Sequence, residues 1–430
     1  MNGNIKLKFL FVSHIALIGD LAWQVKKEGN EVKYFIKDKA QKDVCDEVVE
    51  KVDAWEPHVD WADVIVFDDI AFGDTADRLR KQGKFVVGGS AYTDKLEDDR
   101  EFGQAEMKAV GMSVLAHWDF TDFDEAIKFL EKNPDRYVLK PSGKAQNEKE
   151  LLFVGQEEDG KDVHDILLHY KKNWSKKIKT FQLQKYAAGV EVAVGSFFNG
   201  VDFVTPVNIN FEHKRMFPGE IGPSTGEMGT AMLWCPPNAI FKETLARMKD
   251  KLAAAKYVGY IDINCIANGK GIYPLEFTSR FGYPTISIHM EGVVSKWSTF
   301  LHAIAHQQPF ELKTKKGFQV GVVIACPPFP FEDPAAFRRY SEDATILFKK
   351  PAMDGVHLGD VKFVEGDWHL AGNSGYALVV TGSGITMEDA RAQAYLRVKN
   401  IMIPNMFYRT DIGYRWRHEG DMLRTWGYLY

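Results

Sequence analysis

The sequence predicts a mixed α/β and α+β chain of several domains, with an amino-terminal parallel unit leading into a larger body of antiparallel strands. Three observations predict it. Residues 5–95 alternate short apolar runs with amphipathic helices, the pattern of a parallel sheet covered by helices. Residues 260–284 read as a strand, a turn at Asn268-Gly269-Lys270-Gly271 and a second strand, an antiparallel hairpin. Finally, 430 residues, 45% of them hydrophobic and 26% charged, exceed what one core holds and ask for two to four domains.

Taken in order, Lys8–Val12, Val32–Ile36, Asp63–Phe67 and Phe85–Gly88 are strands, and Leu17–Lys27 and Ala76–Gln82 are helices. Open α/β sheets bind ligands at the carboxyl ends of their strands, so Ser13-His14, Asp68-Asp69 and Gly88-Gly89-Ser90 are candidate substrate contacts, His14 and Asp69 among them. A helix capped by Thr121 or Asp122 carries Phe123, Ile127 and Leu130 on one face. Arg136–Lys140 follows as a strand, and a lysine closing an apolar strand must either snorkel to water or find an anion; Lys140 is assigned the anion. Phe181–Tyr186 and Gly189–Val194 are strands, and Val204–Asn210 leads to His213-Lys214-Arg215 and the loop Gly222–Gly229. The backbone amides of that loop, with Thr225 and Gly226 at its centre, read as an anion nest. Phe241, Leu245, Met248 and Leu252 keep helical spacing and belong to the core. Trp297–Ala305 is a helix, Gln319–Ala325 and Tyr376–Thr381 are strands, and Glu388–Ile401 is a helix.

Composition narrows the partners. A net charge of −5 gives no electrostatic footprint for nucleic acid. Four cysteines without CxxC or Cys/His spacing argue against zinc and against a disulfide framework, and Cys235 and Cys265 read as small buried hydrophobes. Lys6 and Lys8 precede Phe9-Leu10-Phe11-Val12 as in a signal peptide, but His14 and Asp20 interrupt the run, which fits a first strand. No apolar run is long enough to span a membrane, so a cytoplasmic monomer or homodimer is expected.

The hairpin carries the chemistry. On adjoining antiparallel strands Asp262 and Glu276 can face the same way, with Thr278 beside them. These are hard oxygen donors of the kind Mg²⁺ prefers, and Mg²⁺ commonly shares its shell with substrate phosphates. Arg280 adds a bidentate fork for phosphate or carboxylate. From spacing alone, a hairpin with solvated acids at its rim explains the same residues.

A resemblance separates the two. Glu276-Phe277-Thr278-Ser279-Arg280-Phe281-Gly282-Tyr283-Pro284 resembles the Glu-Phe-Asn-x-Arg-Phe-Gly-Asp-Pro signature of glycinamide ribonucleotide synthetases (phosphoribosylamine–glycine ligases), members of the ATP-grasp superfamily. Upstream, Glu212-His213-Lys214-Arg215 and Gly222-Pro223-Ser224-Thr225-Gly226-Glu227-Met228-Gly229 are similar to that family's Asp-His-Lys-Arg and Gly-Pro-Asn-Thr-Gly-Gly-Met-Gly. Weaker likeness runs from the first strand to Arg409-Thr410-Asp411-Ile412-Gly413.

The resemblance implies an ATP-grasp fold: an N-terminal Rossmann-like domain over 1–95, an ATP-grasp domain over 96–312 with a lid at about 118–187, and a C-terminal β-rich cap domain over 313–430. It implies ATP with Mg²⁺ or Mn²⁺ as cofactors, and small-molecule amine and carboxylate substrates joined through an acyl phosphate. It places Arg100, Lys140, Lys149 and Lys214 on the nucleotide phosphates, Gln184 and Tyr186 at adenine, and Glu191 on the ribose. Asp262, Glu276 and Thr278 are then the metal ligands, Arg280 and Lys214 act in catalysis, and His213, Thr225, Gly226 and Arg280 meet substrate, beside the His14 and Asp69 that the sheet alone offers.

Departures accompany the likeness. Ser13-His14-Ile15-Ala16 and Asp68-Asp69-Ile70-Ala71-Phe72 replace loops that hold phosphoribosylamine in the family, and Glu227 stands where the family has glycine. The glycine-rich flap is reduced to Gly143-Lys144-Ala145-Gln146-Asn147-Glu148-Lys149, and Thr278 replaces asparagine. A ligase with another amine or acid, a phosphotransferase stopping at the phosphorylated product, and an ATP-binding protein without ligase chemistry are the alternatives.

Overall fold

The computed structural model describes residues 6–143, 145 and 151–429. The chain begins with β1 (Lys8–Ser13), α1 (Gly19–Lys27), β2 (Glu31–Ile36), β3 (Glu50–Lys51), β4 (Val64–Phe67), α2 (Gly73–Lys81) and β5 (Val86–Val87). These strands form one parallel sheet in the order β3-β2-β1-β4-β5. The central strands are apolar throughout because helices cover both faces. β3 is too short to read from sequence.

Two helices, α3 (Ala91–Asp98) and α4 (Arg100–Ala109), lead out of this sheet, each capped by its preceding residue. Ser90 and Thr93 form a reciprocal capping box on α3, and the Asp99 carboxylate accepts the Phe102 amide at the start of α4. That second cap holds Arg100 at the first turn of α4. A boundary between 95 and 96 falls inside α3.

The next elements are β6 (His117–Phe120), α5 (Phe123–Lys132), β7 (Tyr137–Pro141), β8 (Phe153–Val154), α6 (Lys161–Asn173) and β9 (Phe181–Lys185). They make a four-stranded sheet, β6-β9-β7-β8, with its own apolar core around Phe123, Leu139, Leu167 and Phe181. Asp122 caps α5 by accepting the Glu125 amide.

The main body follows. Its elements are β10 (Val190–Asn199), β11 (Val207–Glu212), β12 (Arg215–Phe217), β13 (Ile221–Ser224), β14 (Gly229–Cys235), α7 (Ala239–Glu243), α8 (Lys249–Ala254), β15 (Val258–Asn268), β16 (Gly271–Thr278), α9 (Thr285–Gly292) and α10 (Trp297–Ala305). After these come β17 (Phe318–Ala325), α11 (Pro334–Tyr340), β18 (Thr345–Phe348), β19 (Val356–Leu358), β20 (Val361–Val364), β21 (Asp367–Leu370), β22 (Tyr376–Gly384), α12 (Met387–Val398), β23 (Ile401–Met402) and α13 (Trp416–Thr425). An antiparallel sheet of eight strands, β16-β15-β10-β11-β14-β17-β22-β19, runs through all of this. The strands beyond residue 312 therefore extend the central sheet, with a small sheet, β20-β21-β18-β23, beside it.

The central sheet has two unlike faces. Side chains alternate along each strand, and residues directly opposite share a face. Val192, Val194, Ile209, Phe211, Ile261 and Ile263 build the apolar face and are fully buried or nearly so. The other face carries Glu191, Asn208, Asn210, Glu212, Asp262 and Asn264 in register across β10, β11 and β15. All four cysteines are free thiols, Cys265 buried as expected and Cys235 only partly so.

Candidate active site

The hairpin β15–β16 is irregular at the place that matters. Near the turn, Asn268 pairs with Gly271 and Cys265 with Pro274, but further along Asn264 pairs with Glu276 and Asp262 with Thr278. One extra residue, Leu275, has been accommodated on β16 as a β-bulge. Without it the parity would be reversed, and Glu276 and Thr278 would point into the apolar face. With it, Asp262, Asn264, Glu276 and Thr278 lie on the polar face as two adjacent rungs.

Three cations converge on Glu276. Arg100 on α4, Lys140 at the end of β7 and Lys214 after β11 all lie within electrostatic reach of it, and its carboxylate favours the charged form of each. Burial and the Arg100 charge push the Lys140 ammonium down to about 7. Burial lowers Arg100, with Glu276 and Asp119 opposing. Burial also works against Lys214, but Glu191, Glu212 and Glu276 outweigh it and hold the ammonium well above its usual range. Lys214 Nζ lies 2.8 Å from Glu191 Oε1 and 3.3 Å from Glu212 Oε2. The Lys214 charge is the main cause that holds the Glu191 carboxyl below its usual range.

On the far rung the neighbours change. Two residues along a strand is about 7 Å, and there the charged groups acting on Asp262 are Glu212, Glu97 and Arg280. Burial and those two acids push the Asp262 carboxyl well up. Arg280 is clamped, its Nε 3.1 Å from both Asp69 and Glu97, and Glu97 also accepts the Ser279 amide at 2.7 Å. Asp68, beside Asp69 at the end of β4, accepts from the Ser13 hydroxyl and from the His14 amide at 3.3 Å; burial and Asp69 push it up to about 8.

Several expected residues fall elsewhere. His213 is fully buried and does not reach the cleft. Its Nε2 accepts the Gly413 amide at 3.1 Å, which leaves the proton on Nδ1, 3.0 Å from Glu220. His213, Glu220 and Asp411 are grouped tightly enough for a metal, but Arg409 Nη2 sits 2.6 Å from Glu220 and 2.7 Å from Asp411, so a guanidinium fills the group. The expected nest in the Gly222–Gly229 loop is also corrected. The Thr225 amide and hydroxyl both donate to the Lys214 carbonyl, at 2.8 and 3.0 Å, and the Met228 amide donates to the His213 carbonyl. Those donors hold Lys214 in place and are not available to an anion; Gly226 is exposed at the tip. Glu227 is buried within electrostatic reach of Tyr376. Tyr186 lies under the Arg136 guanidinium, 3.5 Å from ring to carbon, and Lys149 lies outside the described residues.

The residues present fit a magnesium nucleotide. Arg100 Nε, Ser142 Oγ and Gln184 Nε2, all able to donate, are buried and have no hydrogen-bond partner among the described residues. Buried polar groups without partners are costly and uncommon, so a group of them beside three cations points to a polyanion. Glu276 and Asn264, with Thr278 on the adjoining rung, are hard oxygen donors that would hold the ion accompanying it. Sequence inspection missed Asn264, Glu212 and Glu97. The polar alternation in Asn208-Ile209-Asn210-Phe211-Glu212 and Tyr260-Ile261-Asp262-Ile263-Asn264 signals the first two.

The fold and this cleft define an ATP-grasp enzyme, an ATP-dependent ligase forming carbon–nitrogen bonds and using Mg²⁺. Residues 98–286 match the model of the phosphoribosylglycinamide synthetase ATP-grasp (A) domain, and residues 319–415 match that of the phosphoribosylglycinamide synthetase C domain. Together they cover about two thirds of the chain, which belongs to the phosphoribosylglycinamide synthetase family of purine biosynthesis. The phosphoribosylamine–glycine ligase of Listeria monocytogenes is 27% identical over 351 residues, 78% of this chain and 80% of the relative. That of Streptococcus pneumoniae is 26% identical over 354 residues, 80% of this chain and 82% of the relative. The fold is similar to the crystal structure of phosphoribosylamine–glycine ligase from Thermotoga maritima, with a TM-score of 0.70, 20% identity, and 94% of this chain and 100% of that chain covered. It is also similar to the biotin carboxylase domain of Hydrogenobacter thermophilus 2-oxoglutarate carboxylase in complex with MgADP, with a TM-score of 0.63, 13% identity, and 94% and 92% covered. No helix among the described residues is long and apolar enough to cross a membrane.

Proposed function

We propose that the chain joins the carboxylate of glycine to the amine of phosphoribosylamine at the expense of ATP, the reaction for which its relatives are named, as a cytoplasmic monomer or homodimer. The observation that carries it is the convergence of Arg100, Lys140 and Lys214 on Glu276. The chemical obstacle is repulsion between an anionic nucleophile and a polyanionic triphosphate, so the enzyme's task is neutralisation and positioning.

A carboxylate oxygen attacks the γ-phosphorus, the bond to the β-bridging oxygen breaks, and ADP leaves. The amine nitrogen then attacks the acyl carbon of the acyl phosphate, phosphate departs, and the nitrogen gives up a proton. Lys140, Arg100 and Lys214 hold the phosphates, with Glu191 keeping Lys214 charged and in place. Gln184 Nε2 offers a donor to the base, and Glu191 Oε2 an acceptor to the ribose. Arg280, steadied by Asp69 and Glu97, faces the carboxylate. Mg²⁺ held by Glu276 and Asn264, the pair on one rung, would supply positive charge against phosphate oxygens.

ADP release with Mg²⁺, glycine and phosphoribosylamine tests the reading. Release that needs both supports it. Release with glycine alone would indicate a phosphotransferase, release with a different amine would reassign the acceptor, and no release with any acid would leave nucleotide binding without ligation.

A further inference from the structure

We propose that Asp262 receives the ammonium group of the amino-acid substrate and is not a ligand of the magnesium ion. This rests on the ligase reading above and assigns one end of the acid being activated.

The other acids around Asp262 have partners. Glu212 is paired with Lys214, Asp69 and Glu97 with Arg280, and Asp68 accepts from Ser13 and His14. Asp262 is 3% exposed, faces no cation of its own, and has one bare oxygen, Oδ1. Arg280, the cation that acts on it, is already held by two other carboxylates.

The carboxylate is also built into position. The Tyr260 hydroxyl accepts from Asn208 Nδ2 at 3.0 Å and Asn210 Nδ2 at 3.4 Å, which directs its own proton to Asp262. Gly195 pairs with Asp262 across β10–β15, and a Cβ there would come within 2.0 Å of the Tyr260 oxygen. Glycine is therefore required for the phenol to stand where it does. Two amides, a phenol and a glycine fix one carboxylate and leave an oxygen open.

A buried carboxylate without a cation is costly, and the natural remedy is a compact cation with several N–H donors. A primary ammonium is that group. In an α-amino acid one carbon separates ammonium from carboxylate. With the ammonium on the Asp262 rung, the carboxylate lies toward Arg280 and the Glu276 rung, where phosphoryl transfer takes place.

The test uses the full chain and Asp262→Asn, which keeps shape and removes charge. ADP release is followed with glycine and with glycolate, in which a hydroxyl replaces the ammonium, in the presence of phosphoribosylamine. The variant should raise the KM for glycine about 10–150-fold, the loss of a charged hydrogen bond. It should shrink the preference for glycine over glycolate by the same factor, with the KM for ATP and the half-saturating Mg²⁺ concentration unchanged. A shifted Mg²⁺ requirement with an unchanged glycine KM would overturn the proposal. Should Asp262→Asn not fold, Tyr260→Phe must raise the glycine KM and not that for ATP; an unchanged glycine KM overturns the proposal. Calorimetric titration of glycine into the MgADP-saturated protein reads the subsite without turnover. A chain that binds glycine through Asp262 but releases no ADP would therefore contradict the ligase reading alone.

Discussion

Asn264 stands directly opposite Glu276 across β15–β16, and the bulge at Leu275 is what brings them to one face. The nucleotide end and the substrate end of the cleft are consequently successive rungs of one hairpin. Glu276 with Asn264 meets the cations of α4, β7 and the segment after β11, while Asp262 with Thr278 meets Arg280 and the amino-terminal domain.

Glu276→Gln should keep the fold and lower kcat by about 10²–10³, roughly 2.7–4 kcal/mol of barrier. Asn264→Ala should raise the half-saturating Mg²⁺ concentration by about 10–100-fold if its carbonyl supports the ion. Steady-state rates across a Mg²⁺ titration measure both.

Lys140 sets a pH dependence. Burial and the Arg100 charge push its ammonium down to about 7, so the cation that phosphates need is present below that pH and lost above it. Apparent affinity for ATP should therefore fall as pH rises through 7, and Lys140→Arg, charged throughout, should flatten the profile. For folding the sign is opposite. Between about pH 7 and the ordinary lysine value near 10.4, the unfolded chain binds a proton that the folded chain has released. Stability should rise with pH across that window, and Lys140→Met should remove that part of the slope. Equilibrium denaturation of both proteins at several pH values checks it.

How far the sequence carries can be judged on these residues. The parallel amino-terminal sheet was legible because its strands are uniform apolar runs, and Lys140 because a lysine closing such a run needs a reason. That Glu276 can share a face with Asp262 was read from the hairpin, but the bulge that brings it there was not, since counting back from the Asn268–Gly271 turn puts Glu276 on the apolar side and a bulge leaves no compositional mark. His213 was expected at the substrate because it lies in the Glu212-His213-Lys214-Arg215 motif, yet adjacent residues on extended backbone point oppositely, and it turns into the carboxyl-terminal region. Glu97 was invisible because its partners, Ser279 and Arg280, lie more than 180 residues away.

Glu97→Gln should loosen Arg280 without touching the nucleotide. We expect a raised KM for the carboxylate substrate, a lower kcat and an unchanged KM for ATP, read from initial rates with each substrate varied.

Arg409→Leu should act on stability. It leaves Asp411 and the Arg215 carbonyl without their shared donor, a loss of about 3 kcal/mol given that Glu220 still reaches water. Denaturant melts should show the loss, while ATP affinity measured below the transition stays the same.

The most direct measurement is a crystal structure with ADP and Mn²⁺, using the anomalous signal to locate the ion. The account predicts Mn²⁺ on the Glu276 carboxylate and the diphosphate within hydrogen-bond reach of Lys140, Arg100 and Lys214. An ion among His213, Glu220 and Asp411, or a nucleotide away from Lys140, would contradict it.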